Sequence, residues 1–131
     1  MRIYISIIIL CVTLSACTST ATTNVQENTV VHVVLIWLKE SGNQEHIQQV
    51  IEVSRQLKEI SDIQEMRVGK SIPSDRKIVD DSFDVGLYMV FDNLEDLEGY
   101  LVHPEHKKAV TDVLKPLSIK IQVYDFTSNT E

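Results

Sequence analysis

Residues 30–38 read Val-Val-His-Val-Val-Leu-Ile-Trp-Leu, apolar at both parities. Strict alternation would leave one sheet face wet, so a strand built from this run must bury both. Helices can cover one face, and a different layer must cover the other. Ser41-Gly42-Asn43 then breaks the pattern and can cap a helix, in which Ile47, Val50, Ile51, Leu57 and Ile60 recur at helical spacing. Glu45, Gln48, Gln49, Glu52 and Lys58 fall mainly on the opposite side, which predicts an amphipathic helix of about five turns. Residues 63–68 alternate moderately and predict a second strand ending at Gly69, followed by a polar loop over residues 70–82 that contains Pro73 and Asp80-Asp81. Phe83, Val85, Leu87, Met89 and Phe91 alternate with Asp84, Gly86, Tyr88, Val90 and Asp92, a period of two that predicts the third strand. Asn93 and Asp96 form a capped start for a short helix to Tyr100. Pro104 restarts helix to about Leu114, Pro116 is expected to end it, and residues 119–126 form the last strand.

The predicted order is β, α, β, β, α, β, with the second helix broken near Pro104. This is the ferredoxin-like α+β pattern. Its helices pack on one sheet face. The other face, carrying Val33, Leu35 and Trp37 or their opposite-parity neighbours, would be exposed in a monomer, so the pattern points to a sheet-to-sheet homodimer.

The first residues follow a different rule. Arg2 precedes the apolar run 3–14, and Leu14-Ser15-Ala16-Cys17 closes it, the charged, apolar and small-residue regions of an export signal. At 1.5 Å per residue, a helix over residues 3–16 spans about 21 Å, short of the roughly 30 Å of a bilayer core. Leu14-Ser15-Ala16-Cys17 also resembles a bacterial lipobox, which implies diacylation of the Cys17 thiol and cleavage before Cys17, leaving it as the lipid-bearing N-terminus. The expected organisation is a signal peptide over 1–16, a lipidated Cys17 with a flexible tether to 29, a domain over 30–126, and a C-terminal tail over 127–131. The address is the cell envelope, with the outer membrane favoured by Thr18 if the source has two membranes.

The chain has 131 residues, 44% of them hydrophobic and 24% charged, enough for one domain with an apolar core. Its formal charge is -7, which argues against a nucleic-acid partner. Cys11 leaves with the signal and Cys17 would carry lipid, so the domain has no disulfide to rely on.

Titratable chemistry gathers at Tyr100-Leu101-Val102-His103-Pro104-Glu105-His106, where two of the four histidines sit beside a tyrosine at the helix break. A Tyr/His pair at such a corner can supply a proton donor and acceptor near neutral pH. The simpler alternative is that Pro104 redirects the chain and His103 caps a helix. His103 and His106 could also start a metal site, but a third or fourth ligand is not evident, and neither a metal nor another cofactor is expected. His32 is either a pocket residue or a core histidine bonded to a neighbour.

The segments Val31-His32-Val33-Val34-Leu35, Arg67-Val68-Gly69, residues 83–91, the His-Pro-x-His corner and Val123-Tyr124-Asp125-Phe126 together resemble the stress-responsive A/B barrel (Dabb) domain family over about residues 30–126. The resemblance implies a dimeric α+β barrel. Most members have no established activity; one plant member is a polyketide cyclase that performs an intramolecular aldol condensation with a tyrosine and a histidine. Its motif falls on Tyr100 and His106 as acid and base, and its strand-one pocket histidine falls on His32. A second pocket histidine of that enzyme falls on Val85, a departure that weakens transfer of the reaction. Tyr100 and His106 are therefore the candidate catalytic residues, and His32 and His103 the candidate ligand-binding residues. The favoured expectation is a lipid-anchored homodimer that binds a small apolar or amphipathic molecule. An enzyme cyclising or isomerising a carbonyl compound, or an interaction module with a filled core, are the alternatives.

Overall fold

In the computed structural model, which describes residues 29–128, the elements run β1 (Thr29–Leu38), α1 (Gln44–Gln56), β2 (Ile63–Lys70), β3 (Val85–Phe91), α2 (Leu94–Val102), α3 (Pro104–Ala109), α4 (Lys115–Leu117) and β4 (Ser118–Ser128). The four strands form one antiparallel sheet in the order β2-β3-β1-β4, the ferredoxin-like α+β fold that the patterning predicts. Cys17, the signal segment and the tether up to residue 28 lie outside the described residues. The expected tail begins too early at 127, because Thr127 and Ser128 still pair with Val30 and Thr29. Among the described residues no helix is long and apolar enough to cross a membrane.

The doubly apolar β1 separates into two faces. Val30, Val34, Ile36 and Leu38 turn toward the helices and are buried with Val85, Leu87, Met89 and Phe91 of β3. From α1, Ile47, Val50 and Ile51 close this core, and each such side chain removed from water contributes about 1.5–3 kcal/mol. Val33, Leu35 and Trp37 belong to the opposite face, where the register sets Val33 between Tyr88 and Tyr124, and Val31 between Val90 and Phe126. Tyr88, Tyr124 and Phe126 are exposed there, 37%, 49% and 52% respectively. The segment before β3 covers only the Trp37 end, where Phe83 packs edge-on to the indole and Ser82 Oγ accepts from its N–H, so Tyr88, Tyr124 and Phe126 meet solvent in a single copy.

Asp84, in the alternating run with Gly86 and Tyr88, precedes β3 and is 7% exposed. Its carboxylate turns back to the β1–α1 corner and accepts from Leu38 N–H, Ser41 Oγ and Gly42 N–H at 2.8, 3.0 and 2.7 Å. Gly42 adopts a φ of 77° in this corner, a left-handed turn that delivers Asn43 to cap α1 through Glu45 N–H and His46 N–H. Pro116, in turn, does not end the helix. It has no N–H to donate and its ring crowds the carbonyl four residues back. The chain accommodates it by widening to a π-helical turn over Val110–Leu114, then continuing through α4 to Leu117. The long helix likewise tightens at its end, becoming a 3₁₀ turn over Leu57–Glu59.

Candidate functional site

The break between α2 and α3 follows from Pro104. Without an N–H on Pro104, the Tyr100 carbonyl accepts instead from His103 N–H, at 3.1 Å. His103 takes an extended ψ of 137°, and its Nδ1 accepts from Glu105 N–H at 3.2 Å, capping α3. Glu105 N–H would otherwise have served the Leu101 carbonyl. That carbonyl is left for His106, whose Nδ1–H donates to it at 3.0 Å. The bond requires the proton on Nδ1, so in the neutral ring Nε2 carries the lone pair.

A cavity of about 280 Å³ lies between sheet and helices on the β4 side. Its floor is made by His32, Val34, Leu87, Met89, Ile121 and Val123, and its roof includes Leu57, Tyr100, Leu101, His106, Val110 and Lys115. The π-helical turn positions Val110 and Leu114 on this wall. The walls are mainly apolar, with a few polar groups converging, the character of a small-molecule pocket.

Tyr100 is 2% exposed and stands between the two histidines, its ring centroid 4.5 Å from that of His106 and 6.1 Å from that of His32. Phe91 packs behind it at 5.2 Å. Burial pushes the phenol well above its ordinary value of 10.0, so it stays protonated and can donate. His106 is held below the ordinary imidazole value of 6.5, first by desolvation, with His32, His103 and Lys107 acting in the same direction and the Leu101 bond opposing. A neutral His106 near pH 7 offers a lone pair at Nε2, and a protonated Tyr100 beside it offers a proton.

His32 is buried, and directly across the β1–β4 register Asp125 accepts from its Nδ1–H at 2.5 Å. The carboxylate fixes the ring's orientation and its Nδ1–H tautomer, leaving Nε2 toward the cavity side of the ring. Sequence reasoning missed Asp125 as a partner. The available signal was its parity: it follows Ile121 and Val123 on the helix-facing side of β4, where a carboxylate needs a reason.

Three of the four histidine and tyrosine candidates therefore meet at one cavity: His32, Tyr100 and His106. His103 does not. Its Nδ1 is used in the cap, and it lies outside the lining of this cavity. Among the described residues, no three His, Cys, Asp or Glu side chains gather as they would to hold a metal ion.

The lowered affinity of His106 for protons has a consequence for stability. A histidine whose folded value lies below its unfolded value leaves the unfolded chain holding more protons between the two, so stability rises with pH across that interval. The domain should be fully stabilised by this group above about pH 6.5 and lose that part as pH falls through the folded value. Urea titrations from pH 7.5 to 5 should show this decline, and His106→Asn should flatten it. An unchanged slope in the variant would exclude His106 as its source.

The sheet order, the broken second helix and the cavity beneath it define a ferredoxin-like domain with a helix-side pocket. The chain belongs to the stress responsive A/B barrel domain family, whose sequence pattern matches residues 30–128. Solved structures agree. A dimeric protein of unknown function from Bacteroides fragilis, with a ferredoxin-like fold, is 26% identical, with a TM-score of 0.60 over 76% of this chain and 96% of its own. A Dabb family protein from Mesorhizobium loti with a ferredoxin-like fold is 18% identical, with a TM-score of 0.65 over 79% of this chain and 100% of its own. A hydroxynitrile lyase from Passiflora edulis is 21% identical, with a TM-score of 0.69 over 80% of this chain and 97% of its own. No protein of curated function matches the chain in sequence.

Proposed function

We propose that the chain is a membrane-anchored lipoprotein whose stress responsive A/B barrel domain forms a homodimer and holds a small apolar or amphipathic molecule between its helices and sheet. The observation that carries the ligand reading is the cavity of about 280 Å³, with aliphatic walls and His32, Tyr100 and His106 at its polar side. An interaction module with a filled core would have no such space. The uncovered sheet face with Val33, Tyr88, Tyr124 and Phe126 supports the homodimer, as do the dimeric relatives of this fold. Leu14-Ser15-Ala16-Cys17 behind its apolar run supports the anchor and, with it, a cell-envelope address in which Thr18 favours the outer membrane if the cell has two. Two or more acyl chains hold such a protein stably where one would be marginal.

Native mass spectrometry of a chain beginning at Asn24, purified without denaturation, tests this reading. The expected spectrum is a dimer carrying a reproducible extra mass that is lost on denaturation. A dimer with no added mass after incubation with medium-chain alcohols and acids would count against ligand binding. For the anchor, the full chain should gain the mass of its acyl groups in a bacterial host, and Cys17→Ser should abolish that gain.

The contact between Tyr100 and His106 favours a second reading, an enzyme acting on a carbonyl compound. His106 Nε2 would remove a proton next to the carbonyl while the Tyr100 phenol donates to its oxygen, and His32, held by Asp125, would orient the substrate. Likeness to a hydroxynitrile lyase is compatible with this reading. Turnover with a pH profile that loses its acidic limb in His106→Ala would establish it. Ligand affinity that survives the same substitution, without turnover, would favour binding by the apolar walls.

A further inference from the structure

One polar group in the cavity wall plays no part in either reading. Lys115 opens α4, directly after the π-helical turn, and lines the cavity beside Leu114 and Ile121. Its side chain is exposed, so the ammonium keeps access to water while the stem lies along apolar surface. Among the described residues it forms no ion pair. The nearby Lys108 is paired with Asp112 at 2.5 Å, and Asp125, the acid closest in register to the cavity floor, is taken by His32. A cation without a carboxylate is thus set at the rim of an aliphatic space, in a chain whose formal charge is -7.

The location of Lys115 follows from the helix irregularity. Had an ordinary helix run from Val110 to Leu114, residue 115 would sit about 100° per residue along the regular spiral. The π-helical turn spans i→i+5 where that spiral spans i→i+4, which shifts everything after it around the helix axis. Pro116 enforces that shift, and the result is that Leu114 and Lys115 both reach the cavity wall.

We propose that the cavity selects a medium-chain monocarboxylate, with Lys115 as the specificity-determining residue that pairs with the carboxylate; this rests on the binding reading above. The aliphatic floor takes the chain. At about 30 Å³ per water-sized group, a cavity of about 280 Å³ holds about nine such groups, which suits an acid the size of octanoate. A single ammonium matches a single negative charge, and the neutral His106 adds no second one. Against a formal charge of -7, this local cation favours retention of an anion.

Calorimetric titration of the chain beginning at Asn24 with octanoate and with 1-octanol tests the proposal. The four-stranded sheet and its helices lie within residues 29–128, all of which this chain keeps. Octanoate should bind more tightly than 1-octanol. Lys115→Gln should weaken octanoate about five- to ten-fold and leave 1-octanol unchanged, whereas Lys115→Arg should retain the preference. Equal affinity for the two probes, or a Lys115→Gln variant that treats octanoate as the parent does, would overturn the assignment of Lys115 while leaving the cavity as a binding site. Uptake of neither probe would overturn the binding reading itself, and the carboxylate proposal with it. Lys115 is exposed and its replacement removes no core contact, so circular dichroism of the variant should match the parent.

Discussion

Asp84→Ala is expected to lower the stability of the domain by about 3–5 kcal/mol, the largest effect of any single polar substitution in it. The carboxylate is buried and accepts three bonds, two of them from backbone N–H groups of Leu38 and Gly42. Bonds to a charged acceptor are worth about 1.5–3 kcal/mol each, and truncation leaves both N–H groups without a partner in a tight corner. Asp84→Asn should cost less. One amide oxygen can still accept from Ser41 and Gly42, but its NH₂ would face Leu38 N–H, donor against donor. Ser41→Ala, which removes a single donor and leaves the carboxylate two others, should cost only about 1 kcal/mol. Urea denaturation at one fixed protein concentration measures all three, since a dimer's stability depends on concentration. Equal effects of Asp84→Ala and Ser41→Ala would show that the corner does not depend on the carboxylate.

The second large effect is expected at the uncovered sheet face. Val33→Asp should convert the homodimer to monomer at micromolar concentration. Val33 sits at the centre of that face, between Tyr88 and Tyr124 in register, and a sheet-to-sheet contact would bury the new carboxylate without a partner. A two-fold interface uses the same patch twice, so each substitution is counted twice, and the dimer should weaken at least about a hundred-fold. Because β1 is central, the substitution also strains the monomer. Tyr124→Glu, at a position already 49% exposed, provides the milder test with little cost to folding. Sedimentation should show both as folded monomers. A Tyr124→Glu dimer as tight as the parent would exclude this face as the interface.

How far residue patterns carry can be seen at particular positions. The alternation of Val85, Leu87, Met89 and Phe91, and the helical spacing of Ile47, Val50 and Ile51, are strong because burial repeats with the geometry of the element. The His-Pro corner was legible for a similar reason: proline acts locally, and the missing N–H at Pro104 dictates the bonds around it. Which parity of β1 meets the helices was not legible, since both were equally apolar and only the tertiary register decides. The role of Asp84 was not legible, because its three donors come from segments more than forty residues earlier. Pro116 misled for another reason. A local rule ends a helix before proline, but packing of Leu114 against the core holds the helix together at the cost of a wider turn.

The site divides along the same line. Tyr100 and His106 are neighbours on adjoining helical turns, so spacing alone brings them together. His32 joins them across the core, and Asp125 joins His32 across the β1–β4 ladder, a pairing that no local pattern contains. Lys115 reaches the cavity only because the π-helical turn rotates it there, and a π-helical turn has no dependable mark in sequence. The polar side of the cavity was thus partly visible beforehand, while the carboxylate that holds His32 and the cation at the rim were not.

The most direct measurement of the central claim, that the space between helices and sheet takes up a small molecule, is the methyl spectrum of the chain labelled at methionine. Met89 is fully buried and forms part of the cavity floor, whereas Met66 on β2 lies outside the cavity lining and serves as an internal reference. On titration with octanoate or 1-octanol, the Met89 methyl signal should move saturably and that of Met66 should stay in place. A Met89 signal that does not move while the probe demonstrably binds, or a saturable shift at Met66 alone, would contradict the account.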